Sequence, residues 1–143
     1  MQFITASSTQ TKKLGGILAE ELQGGEIICL TGDLGAGKTT FTQGLLKGLK
    51  IKGPYTSPTF NIMKVYNLKV RSQKLEAIYH IDAYRIKSKD LLNLGWKDFA
   101  GKTNSIVVIE WAERVKKLIP TNAIWIKFEW INDKERKIIL GKK

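Results

Sequence analysis

The chain has 143 residues, 43% of them hydrophobic, and its single cysteine, Cys29, excludes an internal disulfide and agrees with a reducing compartment. No targeting signal opens the sequence and no segment approaches the roughly 20 apolar residues that span a bilayer, so we expect one cytoplasmic domain, residues 1–143, with no membrane contact. The net charge of +11 permits an anionic partner, but the lysines are scattered, which favours a general lysine bias.

The first third of the chain alternates strand and helix patterns. Residues 2–5 favour a short strand, and Ser7 or Ser8 can cap the helix that follows. The predicted apolar face of that helix consists of Leu14, Ile17, Leu18 and Leu22. Residues 26–31 are an almost unbroken apolar run, typical of a central strand covered on both faces. After a glycine-rich segment, residues 39–49 again have helical spacing.

The rest of the chain predicts two hairpins, a short helix and a second apolar strand. In chain order these are strands 59–68 and 75–86, helix 90–94, strand 105–110, and strands 123–131 and 136–140. Polar residues 69–72 join the first hairpin, and Asn132-Asp133 turns the second. The alternation predicts an α/β fold with a mixed, mostly parallel central sheet, flanked by helices and extended by antiparallel hairpins.

The glycine-rich segment, Gly-Asp-Leu-Gly-Ala-Gly-Lys-Thr at 32–39, fits G-x-x-x-x-G-K-[ST] and stands between an apolar strand and a helix. Glycines let backbone amides point at phosphates, and the helix N-terminus adds positive charge. Lys38 supplies a charge to the β- and γ-phosphates, and the Thr39 hydroxyl can ligate Mg²⁺. The pattern predicts a P-loop NTPase-like fold that binds ATP and Mg²⁺. The predicted nucleotide-binding residues are Leu34, Gly35, Ala36, Gly37, Lys38 and Thr39.

Two carboxylates at predicted strand ends are candidates for the other side of the metal. Glu110 ends the more apolar strand, and we favour it as the Mg²⁺ ligand. Asp82 ends the other strand, and it can orient or deprotonate the attacking water. For each acid the alternative is a carboxylate that only caps a loop.

Four further features lie near these acids. Ser-Pro-Thr-Phe at 57–60 stands where nucleotide switches place a residue that senses the γ-phosphate. His80, the only histidine, favours a packed or hydrogen-bonded structural role. Arg85 either neutralises phosphate or forms a surface ion pair. Trp111 either walls the nucleotide site, faces a partner, or packs in the core.

Together, Gly-Asp-Leu-Gly-Ala-Gly-Lys-Thr-Thr-Phe at 32–41, Ser-Pro-Thr-Phe at 57–60, His-x-Asp-x-Tyr-Arg at 80–85 and Glu-Trp at 110–111 resemble the TsaE family. These bacterial ATPases work with the TsaB and TsaD proteins to make threonylcarbamoyladenosine beside the anticodon of tRNAs. The similarity runs over nearly the whole chain. Ala112, where a proline commonly follows Glu-Trp, and Gln43, where an arginine is frequent, depart from the family pattern without touching the phosphates.

The resemblance implies roles for particular residues. Lys38 and the loop amides bind ATP, and Thr39 and Glu110 hold Mg²⁺. Asp82 and Thr40 support hydrolysis, and the segment around Thr59 acts as a switch. The TsaB and TsaD proteins perform the transfer, while this chain hydrolyses ATP to reset their complex between turnovers.

Two other functions fit the same loop. A small nucleoside or metabolite kinase is one, but it usually needs a substrate insertion and an arginine-bearing lid, for which few residues follow Asp82. A nucleotide-dependent adaptor without turnover is the other, and the retained acids argue against it. Whether the basic surface contacts tRNA stays open.

Overall fold

A computed structural model gives the fold and describes residues 1–55, 58, 61–68 and 75–141. Its strands are β1 (Gln2–Thr5), β2 (Ile27–Thr31), β3 (Met63–Asn67), β4 (Ala77–Asp82), β5 (Ser105–Glu110), β6 (Ile124–Trp130) and β7 (Arg136–Gly141). Its helices are α1 (Ser8–Glu21), α2 (Lys38–Gly48), α3 (Ser88–Asn93) and α4 (Trp96–Phe99), and a 3₁₀ segment spans Ala112–Leu118.

The strands form one sheet in the order β1-β7-β6-β2-β5-β4-β3. The four central strands β6, β2, β5 and β4 pair in parallel, whereas β3, β7 and β1 pair antiparallel with their neighbours. Strand β7 runs antiparallel to β6, and β1 runs antiparallel to β7, so β1 has the same direction as β6. Five of the seven described strands therefore share one direction. The predicted mixed, mostly parallel α/β fold is therefore confirmed.

Helices cover both faces of the sheet. Helices α1 and α2 pack with Leu30, Val108 and Phe128 on one face. Helices α3 and α4 and the 3₁₀ segment pack with Cys29 and Val107 on the other. None of the helices in the described ranges is long and apolar enough to cross a membrane.

Most predicted elements are present within a few residues of their expected bounds. Residues 69–72, predicted to join β3 and β4, lie outside the described residues, as do Thr59 and Phe60 from the predicted start of β3. Helix α4 and the 3₁₀ segment were not predicted, because each is short and lacks a full period of apolar residues.

The predicted apolar face of α1 is partly wrong. Ser7 does cap the helix, accepting a hydrogen bond from the Gln10 amide at 3.1 Å. However, Ile17 is 51% exposed, and the buried line consists of the small residues Thr11, Gly15 and Ala19. Leucines 14, 18 and 22 are only half-buried at the edge of this line. Small residues are buried here because the backbones of α1 and α2 approach closely.

Gly15 makes that approach possible, and its neighbour Gly16 offers a matched control. A Cβ on Gly15 would collide with the carbonyl oxygen of Phe41 and lie 2.9 Å from the Leu45 nitrogen. A Cβ on Gly16 would meet only the Gly44 oxygen, at an ordinary 3.7 Å. We therefore expect Gly15→Ala to lower the free energy of unfolding by about 3 kcal/mol through overpacking.

We expect Gly16→Ala to be neutral or to stabilise the fold by up to about 1 kcal/mol through helix propensity. Urea unfolding followed by circular dichroism measures both. Equal effects of the two substitutions would contradict the close packing of α1 on α2.

Candidate functional site

The carboxyl ends of three parallel strands meet at one edge of the sheet. Strand β2 leads into the glycine-rich loop, β4 ends at Asp82, and β5 ends at Glu110. Asp82 and Glu110 are direct partners in the β4–β5 register. Because side chains alternate along a strand, both acids share a face with Val108, which is the face covered by α2. The loop, both acids and the first turn of α2 therefore surround one space.

The loop leaves its amides and the start of α2 open to that space. Gly35 and Gly37 have φ of 79° and 107°, a region that side chains other than glycine rarely adopt. Apart from Gly35 itself and its two chain neighbours, no residue in the described ranges has an atom within 4 Å of a Cβ built on Gly35. Helix α2 also lacks the side-chain cap that Ser7 gives to α1. Uncapped amides at a helix N-terminus form a site suited to an anion.

Lys38 is a buried cation inside this loop. Lys38 is only 5% exposed. Its ammonium donates hydrogen bonds to the carbonyl oxygens of Gly32 and Asp33, the second at 2.9 Å. The ammonium also lies 4.1 Å from the centre of the Trp111 ring. No ion pair to Lys38 forms within the part of the chain that the structure describes.

Burial lowers the pKa of the Lys38 ammonium from its ordinary value, although nearby carboxylates, Glu110 foremost, act in the opposite direction. A buried cation without a carboxylate partner favours a bound anion, because the anion would stabilise the charged form.

Glu110 links α2 to the sheet through both of its carboxylate oxygens. Oε1 accepts a hydrogen bond from the Thr39 hydroxyl at 2.9 Å. Oε2 lies 2.7 Å from Nε2 of His80, and both residues of this second pair are nearly inaccessible to solvent. Thr39 and Glu110, which the sequence predicted to act together, are therefore in direct contact.

The other predicted residues lie around the same space with looser contacts. Asp82 is half-buried, and its Oδ1 accepts a hydrogen bond from the Tyr84 amide at 3.0 Å. Thr40 lies in the first turn of α2, and exposed Arg85 lines the opposite rim. Thr59, the predicted switch residue, lies outside the described residues.

Trp111 forms an aromatic wall beside Lys38. Its backbone has a φ of 59°, which costs a bulky residue about 1–3 kcal/mol and is most often found at functional sites. Its ring lies 4.9 Å from that of Tyr84, and the Arg114 guanidinium lies 5.0 Å from the Tyr84 ring. Trp111 thus lines the cleft and also packs against the hydrophobic cluster that contains Cys29 and Val107.

The loop, the first turn of α2, Asp82, Glu110 and Trp111 line a cleft of about 940 Å³. The sequence did not predict another wall of this cleft. That wall consists of Ala6, Ser7, Ser8 and Thr11 from the N-terminus, and Asp133, Lys134 and Arg136 from the turn between β6 and β7. The guanidinium of Arg136 donates to the Gly35 oxygen at 3.2 Å and to the Glu135 oxygen at 2.9 Å. Arg136 therefore ties the loop to this wall.

The oxygen atoms of Thr39 and Glu110 fit Mg²⁺, which prefers hard ligands and keeps several waters. No cluster of three or more His, Cys, Asp or Glu side chains that could hold a metal by themselves occurs in the described ranges. A metal here would therefore be shared between two protein oxygens and a phosphate, as is usual for Mg²⁺ at nucleotide sites.

The parallel sheet, with a G-x-x-x-x-G-K-T loop between β2 and α2, defines a P-loop NTPase-like protein. A sequence model of the family described as "Threonylcarbamoyl adenosine biosynthesis protein TsaE" matches residues 5–138. The chain therefore belongs to the TsaE family.

Relatives and a solved structure agree with this membership. The chain is 38% identical to the tRNA threonylcarbamoyladenosine biosynthesis protein TsaE of Aquifex aeolicus, over 99% of this chain and 96% of that protein. It is 34% identical to the protein of the same name from Treponema pallidum, over 99% and 100% of the two chains. The crystal structure of YdiB from Bacillus subtilis is similar, with a TM-score of 0.74 and 32% identity over 96% of this chain and 82% of that one.

Proposed function

We propose that this chain binds and hydrolyses ATP with Mg²⁺ as a component of the machinery that makes threonylcarbamoyladenosine in tRNA. Membership of the TsaE family supports the pathway. The observation that carries the nucleotide chemistry is the buried Lys38 ammonium, which forms no ion pair within the described ranges and lies beside the contact between Thr39 and Glu110. An ATP triphosphate supplies the anion that this ammonium lacks, and its Mg²⁺ suits the neighbouring oxygens.

In this proposal the phosphates lie over residues 34–39. The amides of the loop and of the first turn of α2 donate to phosphate oxygens, and Lys38 turns from the loop carbonyls to the β- and γ-phosphates. The exchange is favourable because the ammonium then faces full negative charges on phosphate oxygens instead of the partial charges of carbonyl oxygens. Thr39 and Glu110 contribute the protein ligands to Mg²⁺, which when bound neutralises charge on the phosphate oxygens.

Hydrolysis requires a group that directs water at the γ-phosphate. Asp82 is the candidate, since it lines the cleft next to Glu110, and within the described ranges its carboxylate accepts only the amide hydrogen bond from Tyr84. The Thr40 hydroxyl, one residue beyond the metal ligand, lies within the same cleft and supports the phosphate or the water. Arg85, on the opposite rim, is placed to neutralise charge on the triphosphate.

The adenosine part of ATP would then occupy the wall formed by both ends of the chain. Residues 6–8 and Asp133, Lys134 and Arg136 line the same cleft as the loop and the two acids. Their hydroxyl groups and backbone offer hydrogen-bond partners for a base and a ribose. Trp111 closes the phosphate side. We propose no role for Thr59 beyond the switch that the resemblance implies.

The partners would be the TsaB and TsaD proteins, and the site of action the cytoplasm. The chain acts as one ATPase domain in this scheme, resetting the complex of its partners after each modification. The net charge of +11 leaves contact with tRNA as a further option.

Reconstitution of the modification tests this proposal. Phosphate release by the chain is measured alone and with TsaB and TsaD, and modified tRNA is counted per complex with the chain present or omitted. We expect slow hydrolysis by the chain alone, faster hydrolysis with its partners, and more than one modified tRNA per complex only when the chain is present.

Three results would contradict the proposal or refine it. Equal tRNA modification without the chain would remove it from the pathway. Full function with an ATP analogue at this site that cannot be hydrolysed would indicate an adaptor. Transfer of phosphate to a small metabolite instead of water would indicate a kinase.

A further inference from the structure

His80 forms a buried pair with Glu110, and the nucleotide chemistry above gives this histidine no role. His80 is 2% exposed and Glu110 is 4% exposed, and Nε2 of the ring lies 2.7 Å from Oε2 of the carboxylate. The other oxygen of Glu110 accepts from Thr39 at 2.9 Å. Each oxygen of Glu110 is thus fixed by one donor, one from β4 and one from α2.

The hydrogen bond to Glu110 is the only polar contact of the His80 ring within the described ranges, since Nδ1 is buried without a partner. A carboxylate that also accepts from Thr39 is an acceptor, so the proton of the His80–Glu110 bond lies on Nε2. A buried polar side chain that forms one hydrogen bond and leaves its other nitrogen unpaired is costly to retain. A role in packing alone would be served better by an apolar side chain of similar size.

The sheet register explains why the ring reaches this carboxylate. His80 lies two residues before Asp82 on β4, and Asp82 pairs with Glu110 on β5. Residues two apart on a strand point to the same face, so the ring extends beneath the carboxylate on the side away from the cleft. Thr39 approaches from α2 on the other side. The carboxylate plane is therefore held between the two donors.

We propose that His80 is a positioning residue that sets the orientation of the Glu110 carboxylate for the metal. This inference rests on the proposed role of Glu110 as a Mg²⁺ ligand. Without the ring, the carboxylate can rotate about its last torsion and present either oxygen to the metal. Groups that orient a ligand in this way typically contribute about 10–100-fold to metal affinity.

Two substitutions of His80 separate orientation from packing. The amide nitrogen of Gln reaches about as far as Nε2, whereas that of Asn ends near Nδ1 and cannot reach Glu110. Metal affinity is read by electron paramagnetic resonance titration of Mn²⁺ into the chain with ADP. ADP affinity in EDTA and the melting temperature are measured in parallel.

We expect His80→Asn to weaken Mn²⁺ binding by about 10-fold or more and His80→Gln by about 3-fold or less. Both should keep metal-free ADP affinity within about 2-fold, because neither touches the phosphates. Equal Mn²⁺ affinity in the two variants, or equal losses of metal-free nucleotide affinity, would overturn the proposal. If His80→Asn does not fold, His80→Leu provides the variant without a donor.

The single histidine also allows a test on the unaltered chain. With ¹⁵N-labelled histidine, the ring signals should belong to the tautomer with the proton on Nε2, and the Nε2 signal should move when Mg²⁺ is added to the complex with ADP. The tautomer with the proton on Nδ1, or signals indifferent to Mg²⁺, would also overturn the inference. If the unaltered chain binds no nucleotide or metal at all, the proposed function itself fails.

Discussion

Replacing Lys38 by Met is expected to weaken ATP binding by about 100-fold or more, equivalent to ~2.7 kcal/mol. Met keeps the length and packing of the side chain against Trp111 but removes the ammonium that is buried without an ion pair. The loss is large because charge-assisted bonds to a triphosphate are made in a site shielded from water. Isothermal titration calorimetry with ATP and Mg²⁺ measures it.

Lys47→Met is the matched control for this substitution. Lys47 lies in the last turn of the same helix and is exposed, so its removal changes the net charge equally without touching the loop. Its ATP affinity should stay within about 2-fold of the unaltered chain, since exposed charges are screened by salt. If Lys38→Met bound ATP as tightly as Lys47→Met, the loop would not be the phosphate site.

The second large effect is expected from Glu110→Gln. Gln keeps the size of the side chain but removes the negative charge that Mg²⁺ requires, so Mg²⁺-dependent hydrolysis should fall by about 100-fold or more. ATP affinity in EDTA should change by only a few-fold, because the proposed role of the carboxylate is to hold the metal and not to contact the phosphates. Phosphate release over a Mg²⁺ titration and calorimetry in EDTA separate the two quantities.

The control is Glu129→Gln, which removes the same charge from a surface pair with Lys127 at 3.3 Å and is not among the residues that line the cleft. It should leave both quantities unchanged. Should Glu110→Gln retain full activity while Asp82→Asn loses its response to Mg²⁺, the two acids would exchange their proposed roles.

Local patterns predicted the parts of this fold that local physics determines. The apolar runs that became β2 and β5 are buried along nearly their whole length, and the glycine-rich loop lies between β2 and α2 as predicted. The prediction that Ile17 lies on the buried face of α1 was wrong, because it considered hydrophobicity alone. The stripe of small residues through Gly15 follows from a close helix crossing, which hydrophobic periodicity does not report.

The residues of the candidate site also divide into those that local patterns indicated and those whose contacts depend on the tertiary fold. Recognisable patterns singled out Lys38, Thr39 and the strand-end acids, and the structure places all of them around one cleft, with Thr39 and Glu110 in contact. The link from His80 to Glu110 was missed, since it depends on the register of β4 against β5. The contact of Arg136 was also not predicted, because its hydrogen bond joins it to Gly35, which lies 101 residues earlier in the chain. A turn at Asn132-Asp133 was the only local signal near it.

The position of β7 between β1 and β6 has a consequence for biosynthesis. This order brings residues 6–8 and 133–136 together, so the cleft has one wall from the beginning of the chain and from a hairpin close to its end. A ribosome that has translated as far as Glu110 has already made the loop, the first helix pair and both acids. The pocket is still open on one side until the last strands emerge and insert beside β1.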